Sequence, residues 1–169
     1  KAKGIDGFYL HDLFRFEPKI HSMMSQSIEL GRAFIIKSYQ QKPMPLFLLW
    51  KGIVHTTLRF PEHKYLIGGV SISNQFSNFS KSLMIEFMKS HYYDPYLAQY
   101  IQPKKEFKVK LKDGDKDFVF DATKADLNKF DKIIDEIEPG ALRLPVLLKK
   151  YIKQNARLIA FNVDPLFNN

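Results

Sequence analysis

Ser27-Ile28-Glu29-Leu30-Gly31-Arg32-Ala33-Phe34-Ile35-Ile36 is a short apolar run broken by one acid and one base three residues apart. The segments after it form a pattern: a turn at 40–45, an apolar segment from about Met44 to Leu58, and a second apolar run, Tyr65–Ile72. The order reads as strand, loop, helix, partner strand. Alternate side chains of a strand share a face. Glu29, Gly31 and Ala33 then look one way, and Ile28, Leu30, Arg32 and Phe34 the other. An ionisable group in an apolar strand is costly unless paired or used, so Glu29 and Arg32 need an explanation. One explanation is a structural ion pair; their placement on opposite faces of a regular strand argues against it.

Working outward, Glu17-Pro18 ends an extended or strand-like arm over 4–16, and residues 19–26 have room for a helical turn. The strand is expected over 27–37. Proline is accommodated in the first turn of a helix, which sets a start near Pro43–Pro45. Leu46 to Trp50 are apolar all round, so the first half of this helix is expected to be buried. Gly68 and Gly69 interrupt the second strand, where glycine marks a bulge or the close approach of another group. Ser77 or Ser80 can cap a helix over about 80–91, in which Leu83, Met84, Phe87 and Met88 form a core stripe. Residues 92–103 read as a loop with one helical turn. Lys104, Lys105, Lys108, Lys110, Lys112 and Lys116 alternate with Phe107, Val109 and Leu111, a lysine-guarded edge strand leading through Asp113-Gly114-Asp115 to a hairpin with Phe118–Phe120. Thr123 is expected to cap a helix over 124–138, Pro145 to open another reaching Gln154, and Arg157–Val163 to form a last strand. This order fits an α+β fold in which one mixed, largely antiparallel sheet is flanked by helices.

The totals bound the function. A chain of 169 residues supports one domain with a real core. The 15 phenylalanines suit such a core, or a greasy ligand channel. Without cysteine there is no disulfide framework, thiolate nucleophile or Cys-based metal site. The five histidines lack ligand spacing, so no metal is expected. No run of about 18 apolar residues spans a membrane, and no signal peptide stands at the start. A net charge of +8 suits an acidic protein or an anionic lipid surface. No nucleic-acid-binding module surrounds the lysines, so no nucleic acid is expected.

Ile28-Glu29-Leu30-Gly31-Arg32 resembles the Glu-Leu-Gly-Arg signature of the hemolysin-like N-acyltransferases, a lipid-making branch of the GNAT superfamily that includes ornithine-lipid and glycine-lipid synthases. Leu49-Trp50-Lys51-Gly52-Ile53, Leu66-Ile67-Gly68-Gly69-Val70-Ser71-Ile72 and Phe161-Asn162-Val163-Asp164-Pro165, with Phe167-Asn168 after it, are similar to the same branch. The autoinducer synthases carry a similar Glu-x-x-Arg strand. The likeness runs from about Gly4 to the end of the chain. It implies a single GNAT-like domain over 1–169 whose first strands and last strand are missing, making the chain a piece of a longer protein.

The resemblance implies amide-forming acyl transfer, from a long-chain acyl thioester to the amine of an amino acid of glycine or ornithine type, in aminolipid synthesis. Glu29 is the candidate base, since the attacking amine must lose a proton. Arg32 would orient a carboxylate or phosphate, and Ser71 would assist the leaving thiol. Gln41, Lys42 and Met44 would meet the donor's phosphate, and the main chain at Gly69 and Val70 its thioester carbonyl. Phe34, Phe47, Leu48 and Trp50 are candidates to line an acyl slot.

The chain departs from the superfamily at Gln40–Pro45. Acyl-CoA enzymes carry there a glycine-rich loop whose N–H groups hold a pyrophosphate. Here the loop has no glycine, and Pro43 and Pro45 donate no N–H. That favours an acyl-carrier protein, whose arm has one phosphodiester, over acyl-CoA as the acyl-phosphopantetheine co-substrate, with no bound cofactor. The implied partners are an acidic acyl-carrier protein, an anionic membrane surface and an amino-acid acceptor. The implied location is cytoplasmic, peripheral to the inner face of the membrane. A second class stays open: a non-catalytic GNAT-like scaffold that binds carrier protein or membrane.

Overall fold

A computed structural model of the chain describes residues 4–40, 42–112, 114–115, 126–139 and 143–166. They form two compact units, Lys1–Asp12 with Pro18–Gly69, and Leu13–Glu17 with Val70–Asn169. The class is mixed α+β.

In the first unit, a 3-10 turn at Gly4–Gly7 leads to α1 (Leu10–Leu13, whose last residue falls in the second unit). The expected extended arm is therefore helical at its start, and only its end is a strand. A 3-10 turn at Pro18–Ile20 and α2 (His21–Ser25) fill the place foreseen for a helical turn. Strand β2 (Ser27–Glu29) pairs in parallel with β3 (Tyr65–Ile67), Glu29 standing opposite Ile67. Between them runs α3 (Pro43–Arg59). Leu10, Ile20, Met24, Ser27 and Ile67 are buried.

The partner strand expected over Tyr65–Ile72 ends at Ile67, and two further expectations are corrected here. The strand expected over 27–37 stops early: the Leu30 N–H donates to the Ile67 carbonyl at 2.7 Å, and residues 30–36 join no ladder among the described residues. A Cβ on Gly68 would lie 2.6 Å from the Leu30 carbonyl oxygen, so the chain after β3 passes against the Leu30 main chain where a side chain has no room. The second correction is α3, where no described side chain is buried. Its apolar composition specified a helix but not a cover for it.

In the second unit, β1 (Phe14–Phe16) pairs antiparallel with β4 (Ile101–Pro103). The main body is helical: α4 (Asn78–Tyr92), the short α5 (Pro95–Ala98), α6 (Leu127–Ile137) and α7 (Val146–Lys153). The Ser77 hydroxyl caps α4 by accepting from the Ser80 N–H. The expected stripe Leu83, Met84, Phe87 and Met88 is buried and joins Phe130, Ile134, Leu144 and Leu148 in one core. Phe87 and Phe130 stack with centroids 4.0 Å apart, worth about 1 kcal/mol beyond burial. Helix α6 is capped by Asp126 rather than Thr123, which lies outside the described residues, as do Lys116 and Phe118–Phe120 of the expected hairpin. Over 106–112 exposed and half-buried residues alternate, though no ladder joins this segment among the described residues. Instead of a last strand, Leu158 makes one parallel bridge to Tyr93.

Two partly buried polar arrangements tie the second unit. Asp131 accepts from the Leu144 N–H and pairs with Lys149. Glu138 accepts from the Ser77 N–H at 2.9 Å and the Ser80 hydroxyl at 2.6 Å. Burial pushes the Glu138 carboxyl up, but the Ser77 and Ser80 donors and the Lys81 charge outweigh it and leave it below the usual range. His91 stands edge-on to Phe87, its Nε2 is buried without a hydrogen-bond partner among the described residues, and burial pushes its pKa down.

Gly68→Ala is expected to cost about 1–3 kcal/mol and Gly69→Ala much less, because a Cβ on Gly69 meets only Leu10 Cδ2 at 3.8 Å; Trp50 fluorescence in urea reads both. Acid should weaken the second unit in two stages. Lowering the folded pKa of His91 removes stability as pH falls below about 6.5, its unfolded value; the Glu138 contribution is complete above about 4.3 and lost below it. His91→Leu should erase the first stage and Glu138→Ala the second, the latter at a neutral-pH cost of about 1–3 kcal/mol. Circular dichroism across pH checks both.

Candidate functional site

Glu29 is the last residue of β2, and its half-buried carboxylate is held from the far side of the strand. The Tyr9 N–H donates to Oε2 at 2.8 Å and the Leu10 N–H to Oε1 at 3.0 Å. These are first N–H groups of α1, which have no partner within the helix. Glu29 thus caps α1 across 19 and 20 residues of sequence. No ion pair joins it to Arg32. An ionised carboxylate has about four lone-pair sites; two are used, so the group retains capacity for another donor.

The alternation foreseen for this strand holds as far as Leu30. Ile28 and Leu30 face an apolar groove of about 380 Å³ on the side opposite the Glu29 partners. Leu66 of β3 and Leu48, Leu49, Gly52, Ile53, Thr56 and Thr57 of α3 complete its walls. Both threonine hydroxyls donate to carbonyls of their own helix, at Gly52 and Val54, so the walls present little free polarity. This size lies in the range of small-molecule sites. Of the side chains proposed for an acyl slot only Leu48 lines the groove; Phe34, Phe47 and Trp50 do not. The missed residues carried a signal, because Leu49, Gly52, Ile53 and Thr56 recur at helical spacing on one face.

The remaining candidates are distributed as follows. Arg32 is exposed, and its main chain is left-handed with φ 53°. That conformation costs a side-chain-bearing residue roughly 1–2 kcal/mol. Lys42 is the N-cap of α3 without a side-chain capping bond, and its Nζ lies 4.8 Å from the centre of the Tyr39 ring. Met44 is exposed in the first turn of α3. Pro43 and Pro45 give no N–H there, so among the described residues of that turn Met44 is the main-chain donor left to meet an anion. Gln41 lies outside the described residues. Gly69 ends the first unit; Val70 and Ser71 belong to the second, where Val70 packs on the helical core and Ser71 is exposed. No group of three metal-ligating side chains occurs among the described residues, and no described helix is long and apolar enough to cross a membrane.

Residues 1–50 match the family described as an acetyltransferase (GNAT) domain. A glycine N(alpha)-acyltransferase of Bacteroides thetaiotaomicron is 29% identical over 93 residues, which is 52% of this chain and 26% of that protein. Both matches support the GNAT acyltransferase superfamily. The chain spans about a quarter of the length of this curated relative. No solved structure matches it.

Substitutions separate scaffold from site. Glu29→Gln keeps one acceptor for α1 and should cost about 1 kcal/mol; Glu29→Ala loses both and should cost about twice that. Arg32→Gly relieves the left-handed backbone and should leave stability unchanged or raise it by up to about 1 kcal/mol. Urea titration checks all three, and a marked loss in Arg32→Gly would show the guanidinium to be a structural anchor.

Proposed function

We propose that the chain is the acyl-transfer portion of an enzyme that moves a long-chain fatty acyl group from acyl-carrier protein to the amine of an amino acid, of glycine or ornithine type, in aminolipid synthesis. The observation that carries this reading is the half-buried Glu29 carboxylate, fixed at the end of β2 by two main-chain donors and keeping spare acceptor capacity. The partial likeness to a glycine N-acyltransferase supports it.

In the proposed reaction the amine must be uncharged to attack. Its nitrogen forms a bond to the thioester carbonyl carbon, and the carbonyl oxygen takes up negative charge. Glu29 accepts the amine proton, directly or through water. The oxyanion re-forms the carbonyl, the C–S bond breaks, and the proton passes to the departing thiolate, leaving an amide and a free carrier thiol. The main-chain N–H of Gly69 is the proposed partner of the oxyanion. Arg32, exposed and strained, is proposed to hold an acceptor carboxylate or the arm's phosphate.

The start of α3 favours the carrier protein as donor. The Met44 N–H beside Lys42 suits a single phosphodiester better than a pyrophosphate. The net charge of +8 suits an acidic partner approaching under electrostatic steering.

A second reading, a GNAT-like scaffold without activity, draws on the same residue: Glu29 already has a structural task as the cap of α1. The test is to incubate the protein with long-chain acyl-carrier protein and a panel of amino acids and to seek N-acyl products by mass spectrometry. Wild type should give a product, slowed by added salt, and Glu29→Gln should reduce the rate about 10²- to 10⁴-fold with carrier binding kept. Absence of product from every amine, with the carrier still bound, selects the scaffold.

A further inference from the structure

From Leu30 to Pro61 the sequence contains no aspartate or glutamate, while Arg32, Lys37, Lys42, Lys51 and Arg59 are all exposed there. The same segment exposes large apolar side chains: Phe34 at 79%, Leu58 at 74%, Phe47 at 59% and Met44 at 56%. On α3 these fall into register. Met44, Phe47, Lys51, Val54 and Leu58 are spaced three and four apart along one stripe of the helix, and all five are exposed. The groove lies under a different face, through Leu49 and Ile53. Among the described residues the outward stripe is therefore uncovered as well as apolar, and the charges along its segment are all positive.

We propose that this stripe of α3 is a docking face for an anionic lipid surface. Phe47, Val54 and Leu58 would enter the boundary between headgroups and acyl chains. Lys51 and Arg59 would reach the lipid phosphates with their long stems lying along the apolar face. The charge pattern is what selects lipid over a second copy of the chain. Antiparallel pairing of two such stripes would bring Lys51 near its own counterpart, and neither stripe carries an acid to neutralise it. An anionic surface supplies the missing charge along the whole segment. Leu48 and Gly52 line the groove and are themselves exposed, so the groove opens beside the stripe. An acyl chain held there would have its exit next to the bilayer. The proposal does not depend on the acyl-transfer reading, since binding to lipid needs no turnover.

The single tryptophan, Trp50, lies on α3 and reports directly. The full chain should bind vesicles of phosphatidylcholine mixed with phosphatidylglycerol, with a blue shift of Trp50 and quenching by bromine-labelled lipid. It should bind pure phosphatidylcholine vesicles at least about tenfold more weakly. Phe47→Ser with Leu58→Ser should weaken binding to the mixed vesicles by at least about tenfold, and Lys51→Glu with Arg59→Glu by about as much. Quenching in the unsubstituted protein needs no variant to fold. Three results overturn the proposal: no binding to the anionic vesicles; binding that survives the Phe47 and Leu58 changes in a folded variant; or self-association of the free protein that those changes abolish.

Discussion

A carboxylate placed at the end of a strand has to find donors or remain in water, and in the first unit Glu29 finds them in the Tyr9 and Leu10 N–H groups. Three features depend on that choice. It fixes the start of α1 against β2, although α1 is too short to hold itself together. It turns the Glu29 side chain to one face of the strand and leaves Ile28 and Leu30 to wall the groove on the other. It also places the acid where the β2–β3 ladder ends, one residue before the Leu30 carbonyl meets Gly68. A structural and a chemical role for Glu29 are compatible on this geometry. Donors to a carboxylate hold it in place, and the lone pairs they leave are the ones a substrate would use.

Where the sequence was legible, the signal was local or periodic. Ser77 announces α4 through its hydroxyl, Pro43 sets the start of α3, and Leu83, Met84, Phe87 and Met88 recur at helical spacing and are buried as that spacing implies. The alternation around Glu29 and the close approach at Gly68 have the same local character. What stayed hidden required knowing a distant partner. Nothing near Glu29 indicates that α1 will lie beneath it. The strand ends at Glu29 and Arg32 beyond it is left-handed, although the residues that follow, Phe34 to Ile36, have every propensity to continue a strand.

Helix α3 shows the limit most clearly. Periodicity tells which residues share a face; it does not tell whether anything covers that face. Leu49, Ile53 and Thr57 turn to the groove, as an amphipathic reading of the helix would require. Met44, Phe47, Val54 and Leu58 are as apolar and remain exposed. Composition alone therefore assigned this helix to the interior. The distinguishing mark was in the charges, in the absence of any acid from Leu30 to Pro61, because a helix destined for a protein core has no need of lysine and arginine spaced along its outer face.

The same charges bear on how a lipid-making reading and the unusual start of α3 can belong to one protein. Two prolines remove main-chain donors from the first turn and weaken the ordinary anion site of a helix N-terminus. Lysines at 37, 42 and 51 put positive charge back along the segment, but on flexible side chains. Fixed N–H donors discriminate one phosphate arrangement from another. Mobile ammonium groups attract any anion and orient none. A segment built this way gives up selectivity for a pyrophosphate and keeps attraction for extended anionic surfaces, of which an acidic carrier protein and a bilayer leaflet are both examples. On that argument the proline-rich turn and the basic, greasy helix after it are one adaptation: a donor site for a partner recognised by its surface rather than by a nucleotide.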